Sequence, residues 1–339
     1  MKILFITENG FKDNVDRTFP NMRVEFAWMT ALQAYHISFT QFIQEAGRDL
    51  DWISIFHYNL QVEWNIPNWI TGFDWVFIIW PKEFENNKLL VYNSGPERII
   101  KSLKDKGIKV AFIQEGPHSY FERYSLSRQF DFINLMNTSD LVLCHNLYDT
   151  QYYSGITETK VSVIPSVMIE DSIKNIDIKK EDKIVIGGNF CEWYGGLKSW
   201  TAAMISELPI YNFKSGRTIG GESEIINSLD WVTWIEYMRI LSEFKYAVHL
   251  MPTVAAGTFS LNCAFFGIPC IGNKNIDTQR ICFPDLSIDT ENVVEAKLLL
   301  KRLIDDNWFY NVVSEKSKNL YNEYFSEQRF INKMKDILW

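Results

Sequence analysis

Short apolar runs separated by amphipathic stretches recur along most of the chain. In the first half the runs fall at residues 3–7, 52–56, 75–80, 109–114, 141–144 and 161–164, each ending where polar or glycine positions begin. Runs of this length with such boundaries predict buried strands. Between them, residues 24–34, 95–106 (stopped by Gly107) and 125–136 (with Phe130, Ile133 and Leu135) have helical spacing. The pattern restarts with runs at 183–186, 209–213, 246–251, 268–271 and 286–288, and the chain closes with helical sequence from 290 to 339. Strand and helix in alternation predict an α/β protein of stacked βα units on parallel sheets. Residues 168–182 mix acids and bases and carry no strand pattern, which places a domain boundary near Ile169.

Composition agrees with two ordinary domains: 339 residues, 47% hydrophobic, 15% aromatic and 22% charged, too apolar for a disordered chain. Against 34 Lys+Arg stand 42 Asp+Glu, a formal charge of −8, so there is no global attraction to nucleic acid or anionic membrane, and a DNA contact needs a local basic patch. The five cysteines, Cys144, Cys191, Cys263, Cys270 and Cys282, form no CxxC pair and encode neither a disulfide framework nor a zinc site. No targeting signal is visible, and a reducing cytoplasm is the expected compartment. Residues 246–273 lack any acid, lysine or arginine, but His249, Pro252, Gly257, Asn262, Gly267 and Pro269 do not suit a membrane span. They suit a strand, a turn, a buried helix and a second strand.

That same segment carries the strongest chemical signal. Ala255, Ala256 and Gly257 allow a backbone to approach a ligand, and Thr258, Phe259 and Ser260 then open a helix whose free N–H groups and positive dipole end face an anion. This predicts diphosphate binding without a metal. A tight βα turn that binds nothing is the competing reading.

With Gly267-Ile268-Pro269 opening the next strand, the segment resembles the nucleotide-binding signature of GT-B glycosyltransferases, especially their large retaining, GT4-like family. Residues 286–296, 299–306, 308–310 and 321–325 are similar to that family's closing strand and helices. The resemblance implies two Rossmann-like domains with parallel sheets facing a central cleft: 1–168 for the acceptor, 169–315 for the nucleotide sugar, and a carboxyl-terminal helix, 316–339, packing back on the first domain. It implies no permanently bound cofactor or metal, and a UDP-linked sugar as donor. Where the family usually has a ribose-binding Glu this chain has Asn262, and an acidic position earlier in the loop holds Ala255 or Ala256. The loop from Gly187 to Gly196 is similar to the family's Gly-Arg…Lys-Gly loop, with Asn189 and Tyr194 at the charged positions, which makes Gly188 and Asn189 donor-binding candidates. A leaving diphosphate needs cations or oriented dipoles. Lys214 and Arg217 follow the run at 209–213 directly and are favoured, with Arg280 next and Lys198 read as a solvated charge.

In the first half, the run at 109–114 ends in Glu115-Gly116-Pro117-His118, a carboxylate and an imidazole at a strand's carboxyl end. The phage DNA α-glucosyltransferases have His-Asp-His in a similar place, with similar spacing to Cys144-His145-Asn146. His118, Glu115 and Arg217 are therefore the catalytic candidates. Gly10, Arg17, Arg23, Glu25 and His145 are the acceptor-binding candidates, and Trp28 is read as core. The expected activity is transfer of a sugar to an acceptor hydroxyl with retention. The acceptor classes are hydroxymethylated pyrimidine in phage-type DNA, a glycan, a lipid-linked sugar or a small metabolite. A non-catalytic sugar-nucleotide or glycan-binding module is the alternative, and oligomeric state is open.

Overall fold

The computed structural model describes residues 1–7, 24–38, 41–42, 66–79, 95–114, 116–214, 220–230 and 232–339. They form two compact units, the first built from Met29–Ile164 with the amino-terminal strand, the second from Pro165–Trp339 with the start of the helix Val24–Ala31.

The first unit holds six strands: β1 (Ile3–Thr7), β2 (Tyr35–Ser38), β3 (Trp75–Ile79), β4 (Lys109–Ile113), β5 (Leu141–Cys144) and β6 (Val161–Val163). They pair in parallel in the order β2-β1-β3-β4-β5-β6. β1, β3 and β5 are buried at every residue, as a parallel sheet covered on both faces requires. Alternate positions of adjacent strands, Leu4 and Ile6, Val76 and Ile78, Val110 and Phe112, Val142 and Cys144, meet in one core. The helices are α1 (Val24–Ala31), α2 (Gly95–Asp105), α3 (His118–Phe121), α4 (Leu126–Thr138) and α5 (Leu147–Ser154). α1 begins in the second unit, where fully buried Trp28 donates its indole N–H to Pro165 O at 2.8 Å.

The second unit repeats the plan with β7 (Glu181–Ile186), β8 (Ile210–Phe213), β9 (Asn227–Leu229), β10 (Phe244–His249), β11 (Cys270–Asn273) and β12 (Ser287–Ile288), ordered β12-β11-β10-β7-β8-β9 and again all parallel. Its helices are α6 (Gly196–Ala203), α7 (Trp234–Leu241), α8 (Thr258–Phe266), α9 (Asp277–Cys282), α10 (Val293–Asp305), α11 (Asn307–Tyr324) and α12 (Glu327–Leu338). Position 315 falls within α11, which runs unbroken past it.

Three details differ from the sequence pattern. β7 starts at Glu181, inside the stretch expected to be strand-free, because its charged residues are paired: Lys183 with Glu243 at 2.8 Å and Asp182 with Lys245 at 2.7 Å. β2 and β9 are short edge strands with polar sequences that show no apolar run. β11 begins two residues later than the run at 268–271, since Ile268 and Pro269 follow the helix-ending Gly267. The run at 52–56 lies outside the described residues. Among the described residues, no helix is long and apolar enough to cross a membrane.

Candidate functional site

In an open parallel sheet, ligands bind at the carboxyl ends of the strands where strand order reverses. In the second unit that point lies between β7 and β10, which are hydrogen-bonded neighbours. The two segments leaving them are the glycine-rich loop starting at Gly187 and the 250–257 loop into α8.

Side chains distant in sequence hold the second loop. Ser199 Oγ accepts from Leu250 N at 2.8 Å and donates to Gly195 O at 3.0 Å. Asn273 Nδ2 donates to Met251 O at 2.9 Å, and Ser166 Oγ to Ala256 O at 2.5 Å. Thr278 and Ser260 both donate to Gly257 O, at 2.8 and 3.0 Å, and their hydroxyls lie 2.7 Å apart. Gly257 sits at φ 72°, and a Cβ there would lie 2.0 Å from Thr278 Oγ1, so only glycine fits this turn.

The helix that follows is electrostatically lopsided. No side chain caps the amino end of α8, and Thr258 at its first position is exposed. The first turn of a helix leaves N–H groups without intrahelical partners. At the other end, the Gly267 carbonyl receives the Lys180 ammonium and the Ser314 hydroxyl, each at 2.5 Å. Burial pulls the Lys180 pKa down to about 8. A cation thus meets the negative pole while the positive pole stays open to an anion. The Ser260 hydroxyl is turned inward, toward Gly257 O and the Thr278 hydroxyl.

The glycine-rich loop is as closely fitted. Gly188 lies against the Tyr194 ring, and Gly195, in the left-handed region at φ 63°, passes so close to the residue after β10 that a Cβ would meet Leu250 O at 2.0 Å. Asn189 is 1% exposed, and its Oδ1 accepts from Cys191 N at 3.1 Å, folding the loop on itself. Asn262 is buried within α8 and hydrogen-bonded to the Tyr237 phenol, whose pKa burial raises and that bond opposes. The candidate cations lie outside the core: Lys214 pairs with Asp230 at 3.0 Å, Arg280 with Asp277 at 3.1 Å, and Lys198 with Glu291. Arg217 lies outside the described residues.

His249, which the sequence marks only as unsuited to a membrane span, ends β10 beside this site. Its ring meets Phe259 edge-on at 5.0 Å and fills the space a side chain at Gly187 would need. It is 9% exposed, its Nε2 has no hydrogen-bond partner, and burial lowers its pKa to about 4. Between the ordinary pKa of 6.5 and that value, the unfolded chain takes up a proton that the folded protein refuses. Stability therefore falls as pH drops through this window, by up to about 1.4 kcal/mol per pH unit. Urea unfolding at about pH 7 and pH 5 should show His249→Phe losing about 2 kcal/mol less than the wild type across that interval. An identical loss in both proteins would contradict a neutral buried imidazole.

In the first unit, His118 opens α3 just past β4. Its Nδ1 lies 2.9 Å from Asp149 Oδ1, and its backbone N–H donates to the same oxygen at 3.0 Å. The imidazole stacks on Tyr152 at 4.6 Å and tilts against Tyr148 at 5.1 Å. The Asp149 side chain is 1% exposed and that of His118 is 16% exposed. His145 is buried at the end of β5, and Glu25 is half-buried in the first turn of α1. Gly10, Arg17, Arg23 and Glu115 lie outside the described residues. Among the described residues, no group of three or more His, Cys, Asp or Glu is placed to hold a metal ion.

No protein-family model and no curated protein matches the sequence. Solved structures do. Anabaena HepE in complex with UDP superposes over 100% of this chain and 99% of its own, with a TM-score of 0.65 at 10% identity. HepE in complex with UDP-glucose does so over the same shares with a TM-score of 0.63 at 10% identity. Sucrose-phosphate synthase from Thermosynechococcus elongatus covers 99% of this chain and 98% of its own, with a TM-score of 0.62 at 10% identity. The chain has the GT-B fold. The architecture expected from the segment around Gly257 and Gly267 is thus present, two six-stranded parallel sheets in two α/β units. β7, β10 and α8 belong to the second unit, and β4, β5 and His118 to the first.

Proposed function

We propose that the protein is a glycosyltransferase that moves a sugar from a UDP-linked donor to an acceptor hydroxyl, retaining the anomeric configuration and using no metal. One observation carries this reading: the uncapped, exposed amino end of α8, fixed by Thr278, Ser260 and Ser166 at the strand-order reversal. HepE, of the same fold, binds UDP and UDP-glucose.

In the proposed chemistry, the amides of Thr258, Phe259 and Ser260, with Arg217 or Lys214, stabilise charge on the diphosphate as the bond between the anomeric carbon and the phosphate oxygen breaks. The electron pair of that bond stays with the β-phosphate. The acceptor oxygen bonds to the anomeric carbon on the same face, and its proton passes to the departing phosphate. His118, with Glu115, orients hydroxyls of the sugar or acceptor. Hydroxymethylated pyrimidine in DNA is one acceptor class, supported by the spacing from Glu115 to Asn146; glycans, lipid-linked sugars and small metabolites are the others.

A non-catalytic nucleotide-sugar module is the second reading. It is favoured by neutral Asn189, Tyr194 and Asn262 where the resemblance leads one to look for charge, and by the inward bonds of Asn189 and Asn262. Incubation with radiolabelled UDP-sugars, with and without chelator, separates the two. Transfer to acceptor or slow hydrolysis to UDP, both insensitive to chelator, is the expected result. Stable retention of intact donor would favour the binding module, and full dependence on a divalent ion would contradict the metal-free mechanism.

A further inference from the structure

Among the described residues, one helix supplies the groups that hold the His118 ring. Asp149 stands in the first turn of α5, with Tyr148 before it and Tyr152 one turn on. The two tyrosines hold the ring while the buried carboxylate takes both the ring Nδ1 and the backbone amide on a single oxygen. An ionised carboxylate only accepts hydrogen bonds, and Oδ1 already accepts the His118 backbone N–H, so the ring nitrogen 2.9 Å away is the donor. Burial pushes the Asp149 carboxyl pKa up, and the two His118 donors oppose that push. With Nδ1 committed, Nε2 is the ring's remaining polar atom.

We propose that Asp149 is the positioning residue of the His118 site: by holding the ring proton on Nδ1 it makes Nε2 a hydrogen-bond acceptor. The group met by Nε2 must then carry a hydrogen of its own. A sugar or acceptor hydroxyl qualifies, whereas a phosphate, a carboxylate or an ether oxygen does not. The identity of that hydroxyl rests on the glycosyltransferase reading; the position of the proton does not.

The neutral ring is therefore the test. In uniformly ¹⁵N-labelled full-length protein, with the His118 signals assigned by loss in His118→Gln, long-range ¹H–¹⁵N correlation of the neutral ring should show a protonated Nδ1 and a bare Nε2. Asp149→Ala should move the proton toward Nε2 and lower kcat about a hundredfold, with KM for the donor within threefold of wild type. Asp149→Asn keeps an oxygen for the backbone amide and ring, so it should preserve the tautomer and recover part of the lost kcat. An Nε2-protonated ring in the wild type overturns the proposal, and so does an equal loss of kcat in both variants with the tautomer unchanged. Because the ring signals of the wild type need neither turnover nor a stable variant, a protein that binds no donor would remove the transferase reading and leave this assignment standing or falling separately.

Discussion

Gly257→Ala should lower UDP affinity at least tenfold and reduce the unfolding free energy by about 2–5 kcal/mol. The energy is the sum of a left-handed backbone now bearing a Cβ, roughly 1–2 kcal/mol, and overpacking, typically about 1–3 kcal/mol. The overpacking is specific: the new methyl would stand 2.0 Å from Thr278 Oγ1 and 2.5 Å from Ile276 Cγ2. Thr278 must retreat, and the hydroxyl pair that fixes the start of α8 goes with it. Gly107→Ala is the matched control. Gly107 also has positive φ, 78°, but nothing lies within 4 Å of its added Cβ. It should cost about 1–2 kcal/mol from backbone strain alone and leave UDP binding unchanged. Thermal unfolding and titration calorimetry on both variants read the contrast, and equal UDP affinity in Gly257→Ala and wild type would contradict a phosphate site at this turn.

His118→Ala should reduce turnover by about 10²–10⁴-fold while changing the Kd for UDP less than threefold. The separation follows from the placement of the residues. The proposed diphosphate contacts come from the second unit, and His118 belongs to the first. Its ring is held by Asp149, Tyr148 and Tyr152, an investment of one buried carboxylate and two aromatic faces in orienting one imidazole. Single-turnover rates with labelled donor, set beside UDP binding by calorimetry, give both numbers. A parallel loss of affinity and rate would instead make His118 a structural residue.

The strands that were legible in the sequence are those whose physics demands an uninterrupted apolar run. β1, β3 and β5 are buried on both faces, so nearly every residue is apolar and the signal is local. β2 and β9 occupy sheet edges, where polar residues are tolerated, and β7 opens with charges neutralised by partners from the neighbouring β10 side. The turn and helix at 255–260 were legible for a similar reason: small residues followed by a helix start are contiguous.

What fixes that turn was not legible. Thr278 acts on Gly257 from 21 positions away, Ser166 on Ala256 from 90, and Asp149 on His118 from 31. A side chain bonding to a remote backbone group leaves no periodicity, and the residues themselves are common loop and helix types. The same limit explains Asn262. The family resemblance implies a ribose contact there, and the Asn262 bond to Tyr237, on α7, is a further one that no motif marks. His249 could have been noticed as an imidazole inside an apolar run, a position where burial alone makes it neutral.

The central claim is that the open amino end of α8 grips the pyrophosphate of a nucleotide donor. A crystal structure of the protein soaked with UDP tests it directly. The account predicts phosphate oxygens about 3 Å from the backbone nitrogens of Thr258 and Phe259. UDP bound with its phosphates elsewhere, or a helix end closed by packed side chains, would contradict it.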